Sequence, residues 1–207
     1  SSSLTAAESH ASLEHLLLWI ERAIRQVKAE SRLINDLLDA TNIQAEHFHV
    51  SLEPCDLVQI VSDAVNNARL LADTRTIHLL LPEQSPIPVL ADRVRIDQVI
   101  ADYLTNALKY STAPQPITVG IALEEHEARV WVKDAGLGLS PEAQRSLWNR
   151  FQRTSRFAEY TNLGTGGLGL GLYISQAIIR QHGGRVGVES VETQGSTFWF
   201  TLPLAEQ

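Results

Sequence analysis

At 207 residues the chain exceeds one average domain and falls short of two, so one α/β domain with an appendage is expected. An apolar share of 44% supports a buried core and excludes global disorder, while 17 Lys+Arg against 24 Asp+Glu, a net charge of −7, has the wrong sign for a duplex nucleic-acid binder. The single cysteine, Cys55, excludes an internal disulfide framework and any multi-cysteine metal site, which suits a reduced, cytosolic setting.

No apolar run approaches the roughly 20 residues of a membrane-spanning helix; the longest is Leu16 to Ile20. The chain has no methionine and Ser1-Ser2-Ser3 does not resemble a signal peptide, so it reads as a piece of a longer protein. From Leu13 the apolar positions Leu17, Ile20, Ile24, Val27, Ile34, Leu38, Thr41 and Ala45 follow at alternating spacings of 4 and 3, with Ser31 as a polar break. That heptad pattern predicts a helix over about residues 12–45, a stalk or dimerising element that needs a partner to bury its stripe. Residues 1–50 are therefore separated from a body of residues 51–207.

In the body, Asp56 caps a predicted helix from Leu57 to about residue 73. Short strands follow at residues 76–81 and 88–90, then a helix capped by Asp92 and ending near Tyr110. Residues 117–123 and 128–134 read as a hairpin across an acidic turn. A short helical piece covers residues 141–151, a helix runs from Leu168 to His182, and strands at 185–189 and 196–202 complete an α/β sandwich with a mixed sheet and helices on one face.

Three segments carry polar residues that packing alone does not explain. Asp102, Asn106 and Tyr110 share one face of a helix with Lys109 alongside, an arrangement suited to a polar ligand rather than a core. Asp134-Ala-Gly136-Leu-Gly138 ends a strand in a turn that permits close backbone approach, weak evidence on its own. Gly164 to Gly171 opens a helix, where glycine amides and the positive helix end favour phosphate. Its window Gly164 to Gly169 fits GxGxxG, with Glu189 as a conceivable ribose acid, but it follows the polar stretch 156–163 rather than a strand, against a dinucleotide fold. A Walker A loop is absent. The glycine run reads instead as the hinge of a lid, spanning about residues 136–167, joined to a phosphate-binding helix start.

Taken in order, the Asn106 helix, Asp134-x-Gly136-x-Gly138, Trp148-Asn149-Arg150-Phe151 and Gly167-x-Gly169-x-Gly171 resemble the N, G1, F and G2 boxes of sensor histidine kinases. The flanks, Leu33-Ile-Asn-Asp-Leu-Leu-Asp39 and the ending Gly195-Ser-Thr-Phe-Trp-Phe-Thr-Leu-Pro203, resemble the same family, over roughly residues 30–204. The resemblance implies a Bergerat ATP-binding fold and donation of the γ-phosphoryl of Mg·ATP to a histidine, for relay to the receiver domain of a response regulator. By it, Asn106 holds Mg²⁺, Lys109 reaches a phosphate and Tyr110 lies against the nucleotide. Asp134 accepts from the adenine amino group, and Gly136 and Gly138 shape the base pocket. Gly167, Leu168, Gly169, Leu170 and Gly171 form the triphosphate end, with Phe151 anchoring the lid. Residues 139–166 hold Arg145, Arg150, Arg153 and Arg156 against Glu142 and Glu159, locally basic despite the overall charge.

Two departures stand out. No histidine sits in an H box: His10 is followed by Ala-Ser-Leu-Glu and lies too near Asn35 for a helical hairpin. The phosphoacceptor helix is expected to be missing from this chain, which would bind ATP without phosphorylating itself. Asp102 stands where these kinases often carry asparagine, and in related ATPases an acid there activates water, making Asp102 a further catalytic candidate. The expected setting is cytoplasmic, with homodimerisation through the hairpin and membrane tethering only through upstream regions. A nucleotide-responsive interaction module and a Bergerat-fold ATPase are the alternatives.

Overall fold

The computed structural model describes residues 2–72, 75–152 and 168–205. The chain order is α1 (Ser2–Gln44), β1 (Glu53–Asp56), α2 (Leu57–Leu71), β2 (Ile77–Leu80), β3 (Pro88–Ala91) and α3 (Arg93–Tyr110). There follow β4 (Ile117–Leu123), β5 (Glu127–Asp134), α4 (Pro141–Ser146), α5 (Gly171–Gln181), β6 (Val186–Val191) and β7 (Gly195–Pro203).

Capping decides where the two central helices begin. The Asp56 carboxylate accepts from the Val58 N–H and from the Ile87 N–H, so one side chain caps α2 and ties down the approach to β3. Asp92 caps α3 by accepting from the Arg95 N–H, 3.1 Å away. At the other end of α3 the Ser111 N–H returns to the Ala107 carbonyl, and Pro114 and Pro116 prevent continuation.

The main sheet has the order β2-β4-β5-β7-β6, with β2 parallel to β4 and every other pair antiparallel. The expected mixed sheet is present. A second, two-stranded sheet pairs β1 with β3, and β1 had no period-2 signal in Glu-Pro-Cys-Asp to reveal it. Strict alternation along β5 sends Ala128, Val130, Val132 and Asp134 inward and Arg129, Trp131 and Lys133 outward. Ile60, Val61, Ile96, Val99, Ile100, Tyr103, Ile174 and Ile178 come from the helices to meet that inner face, together with Phe198, Phe200 and Leu202. On the outer face Trp131 and Trp199 are register partners, each lying over a glycine of the next strand, Gly120 and Gly187.

Helix α1 begins at Ser2 rather than near residue 12; no glycine or proline precedes Pro54, so nothing stops it earlier. The side chains of Leu13 and Leu17 lie outside the described residues. Ile20, Ile24, Val27, Ile34 and Leu38 are all exposed, so the heptad stripe is not spent on the body of this chain. A different face of α1 packs there: Ala40 is buried, and Asp39 makes a two-pronged ion pair with Arg95 of α3 at 2.6 and 3.1 Å. Beyond the helix, buried Phe48 sits beneath the same guanidinium, 5.0 Å from ring centre to Cζ. Among the described residues no helix is long and apolar enough to cross a membrane.

Candidate functional site

The site is built where the C-terminal half of α3, the end of β5 and the start of α5 converge. Period 2 along β5 puts Asp134 on the core side, in line with Val130 and Val132. It is 5% exposed, and its Oδ1 accepts from the Gly136 N–H at 2.7 Å. Burial pushes its carboxyl up from the ordinary 3.8, while the Gly136 and Ser196 N–H groups and the Arg75 charge pull the other way. The glycine at 136 is required by contact: a Cβ there would collide with the Tyr110 carbonyl oxygen. The turn thereby lies directly on the end of α3, and the Leu137 N–H reaches the same carbonyl. Gly138, at φ +64°, passes against the Val191 backbone.

Along α3, the expected stripe is present but graded. Asn106 is half-buried, and among the described residues its amide has no hydrogen-bond partner. Lys109 is exposed, with Nζ 5.1 Å from the centre of the half-buried Tyr110 ring. Asp102 is buried, at 8% exposure, and turned toward α5 and α1. It forms an ion pair with Arg32 of α1, and the Ser175 hydroxyl donates to its other oxygen at 3.4 Å. Burial raises its pKa, with Arg32 and Ser175 opposing. Asp36, one turn along α1 from Arg32, is pushed up to about 6 by burial and then by the Asp102 charge, with Arg32 opposing and Asp39 adding to the rise.

Helix α5 supplies the third side. Its N-cap, Leu170, is buried and offers no side-chain hydrogen bond, so the first-turn N–H groups have no side-chain cap. The helix starts at Gly171, three residues later than its apolar pattern implies, and a Cβ at Gly171 would stand 3.1 Å from Asp102 Oδ2. Gly169 has φ +70° with the Gln152 carbonyl 2.8 Å from where a Cβ would be, and its own carbonyl accepts from the Phe151 N–H at 3.1 Å. That bond joins the F-box-like segment to the start of α5. Leu168 and Phe151 are exposed, Phe151 at φ 59°. Gly167, the earlier glycines of the run, Arg153, Arg156 and Glu159 lie outside the described residues, as does the second half of the expected lid, residues 153–167.

Arg75 and His182 have no part in the sequence-derived site. Arg75 contacts the C-cap of α3, Ser111, and His182 its N-cap, Asp92; neither belongs to a motif, so only the folded contacts reveal them.

Residues 91–206 match the family described as histidine kinase-, DNA gyrase B- and HSP90-like ATPases. The chain belongs to this family. The match covers the core of the ATP-binding fold, from the end of β3 through β7. Among curated proteins, the chain is 31% identical over 178 residues to the sensor histidine kinase GacS of Pseudomonas protegens, covering 83% of this chain and 19% of that protein. It is 30% identical over 178 residues to the sensor histidine kinase WalK of Bacillus subtilis, covering 85% and 29%. Against the adaptive-response sensory kinase SasA of Synechocystis it is 33% identical over 200 residues, covering 95% and 50%. The chain thus spans between a fifth and a half of these relatives' lengths. Full-length ShkA in complex with AMPPNP superposes with a TM-score of 0.70 at 27% identity, covering 85% of this chain and 36% of that one. The catalytic domain of histidine kinase ThkA, at 22% identity, shares the fold with a TM-score of 0.61, covering 74% and 95%. Fold and relatives together give a histidine kinase ATP-binding domain.

Proposed function

We propose that this chain is the nucleotide-binding catalytic part of a two-component sensor kinase, with residues 1–50 as stalk and 51–207 as the ATP-binding domain. It donates the γ-phosphoryl of Mg·ATP to a histidine on a dimerisation domain, for relay to a response-regulator receiver in the cytoplasm. The observation that carries the reading is Asp134, a buried carboxylate at a strand end, facing a turn that glycine alone can press against α3. A carboxylate in that position takes the exocyclic amino group of adenine.

The phosphate end falls to α5. First-turn N–H groups without a side-chain cap, together with the positive end of the helix, hold anionic oxygens. Lys109 brings a mobile charge from α3. Asn106 fits a magnesium ion, because its amide oxygen is available among the described residues and Mg²⁺ characteristically keeps several waters beside one or two protein oxygens. When bound, Mg²⁺ neutralises charge on the β- and γ-phosphates. The chain's own contribution is positioning: Asp134 fixes the base, Asn106 and Lys109 fix the phosphates, and Phe151 with Gly169 fixes the near end of the lid. Asp102, engaged by Arg32 and Ser175, acts in this reading as an anchor for α1. Equal phosphate release by wild type and Asp102→Asn supports that; a loss in the variant restores Asp102 as a base.

Calorimetric titration with Mg·ATP and Mg·ADP tests the reading. Wild type should bind both, Asp134→Asn should bind neither measurably, and Asn106→Ala should lose the magnesium dependence. Full affinity in Asp134→Asn refutes the site. Adding a separate acceptor-helix protein and finding acid-labile phosphate on it separates a working donor from a non-catalytic interaction module. Steady ATP turnover without any acceptor would instead mark a free-standing ATPase.

A further inference from the structure

Arg75 lies between α2 and β2, outside every motif, yet it reaches into the base end of the site. Its Nη1 donates to the Ser111 carbonyl at 2.9 Å and its Nη2 to the Ser111 hydroxyl at 2.5 Å. Ser111 is the C-cap of α3, and its own hydroxyl returns to the Ala107 carbonyl at 2.6 Å. A guanidinium here satisfies a carbonyl beyond the helix end and opposes the negative pole of the helix. The residue before Ser111 is Tyr110, whose carbonyl is the surface against which Gly136 closes, and the Gly136 N–H holds Asp134. Arg75, the end of α3, the turn and the carboxylate thus form one continuous stack.

The charge of Arg75 is also retained where it is costly. Its Nε is buried without a partner among the described residues, and buried unpaired donors are disfavoured. Asp134 is faced by N–H groups of Gly136 and of Ser196 on β7, and by the Ser111 and Tyr110 end of α3. Lys133, its neighbour on β5, points to the opposite side of the sheet. Among the described residues, Arg75 supplies the side-chain charge that favours its ionised form.

We propose that Arg75 is a positioning residue for the base end of the nucleotide site, clamping the C-terminal end of α3 through Ser111 and supplying the positive charge that faces Asp134. The proposal rests on the reading of Asp134 as the acceptor for the adenine amino group. An ionised carboxylate only accepts hydrogen bonds, whereas a protonated one presents an O–H toward a donor. Loss of the guanidinium charge makes Asp134 easier to protonate, so base recognition should fail at a higher pH.

Two measurements on wild type, Arg75→Gln, Arg75→Lys and Ser111→Ala test this. The first follows the Asp134 side-chain carboxyl by ¹³C NMR during a pH titration of nucleotide-free protein, assigned with Asp134→Asn. The second follows the affinity for ADP over the same range, with circular dichroism confirming the fold at each pH; titration of the nucleotide's own phosphates is common to all variants and cancels. Arg75→Gln should move the carboxyl midpoint to higher pH, and the acid limb of ADP binding with it. Arg75→Lys should stay close to wild type. Ser111→Ala, which keeps the charge and loses the hydroxyl clamp, should weaken ADP binding at every pH without moving the midpoint. An unmoved midpoint in Arg75→Gln, or an equal shift in Arg75→Lys, overturns the proposal. A wild type that does not bind ADP overturns the nucleotide reading, and the proposal with it.

Discussion

Replacing Asp36 by asparagine should stabilise the protein at neutral and alkaline pH and do nothing at acid pH. Asp36 is half-buried beside Asp102 and Asp39, and its pKa is raised from 3.8 to about 6. The folded state therefore binds a proton more readily than the unfolded chain, so stability rises as pH falls from about 6 toward 3.8 and is lowest once the carboxyl ionises. The interval between those values corresponds to about 3 kcal/mol. The side chain is partly open to solvent, and screening reduces the expected gain of Asp36→Asn to about 1.5 kcal/mol near pH 8. For a chain of this length that is an increase of about 3–6 °C in melting temperature. Urea unfolding followed by tryptophan fluorescence at fixed protein concentration, at several pH values from about 4 to 8, measures it. Asn and Asp have similar helix propensities, so the gain should disappear near pH 4. A gain that is equal at both ends of the range, or none at pH 8, refutes the electrostatic account.

His182 carries the opposite sign. Its Nε2 accepts from the Asp92 N–H at 2.9 Å and its Nδ1 faces the Ile178 carbonyl at 2.8 Å, so the buried ring must be neutral, and burial holds its pKa below 6.5. Stability should be complete above 6.5 and decline as the pH falls below it; His182→Gln should remove that slope in the same urea series. Tyr103 is fully buried against Phe198 and Phe200, and its hydroxyl has no partner among the described residues. Tyr103→Phe should therefore raise the unfolding free energy by about 1 kcal/mol, and a loss would show that the hydroxyl is satisfied in solution. Gly136→Ala should abolish ADP binding measured by calorimetry, because its Cβ must displace the Tyr110 carbonyl from the end of α3; retained affinity would mean that the turn does not shape the base pocket.

The legible parts of the fold were those with strong local signals. Asp56 and Asp92 announced α2 and α3 through their caps, and residues 128–134 read as a strand ending in the acid that β5 places on the core side. Helix α5 started later than its apolar pattern because Gly169 just before it takes a left-handed conformation, φ +70°, that no periodicity records. The two-stranded sheet escaped notice because Glu-Pro-Cys-Asp has no alternation and its partner lies 35 residues away. Arg75 and His182 were invisible for a similar reason. Each acts through a contact distant in sequence, Ser111 for one and Asp92 for the other, and a lone polar residue at a loop or helix end carries no signal of its partner. The i, i+4, i+8 spacing put Asp102 with Asn106, but it could not distinguish the open end of the stripe from the end that α1 covers.

That covering explains how α1 can serve two neighbours. Arg32, Asp36, Asp39, Ala40 and Ile43 follow one helical face and meet α3 or its surroundings, whereas Ile20, Ile24, Val27, Ile34 and Leu38 follow another and remain exposed. At about 100° per residue, the centres of the two faces lie about 150° apart around the helix. A partner helix on the apolar stripe therefore need not displace the body of the chain. Releasing the body requires instead the rupture of Arg32–Asp102, Asp39–Arg95 and Arg150–Gln44, contacts made of charge and hydrogen bonds beside a small apolar seam at Ala40 and Phe48. Such contacts are sensitive to salt and to the protonation of Asp36, while a heptad seam is not. Pairing of the stalk and docking of the body should thus respond to different conditions, even though one helix carries both.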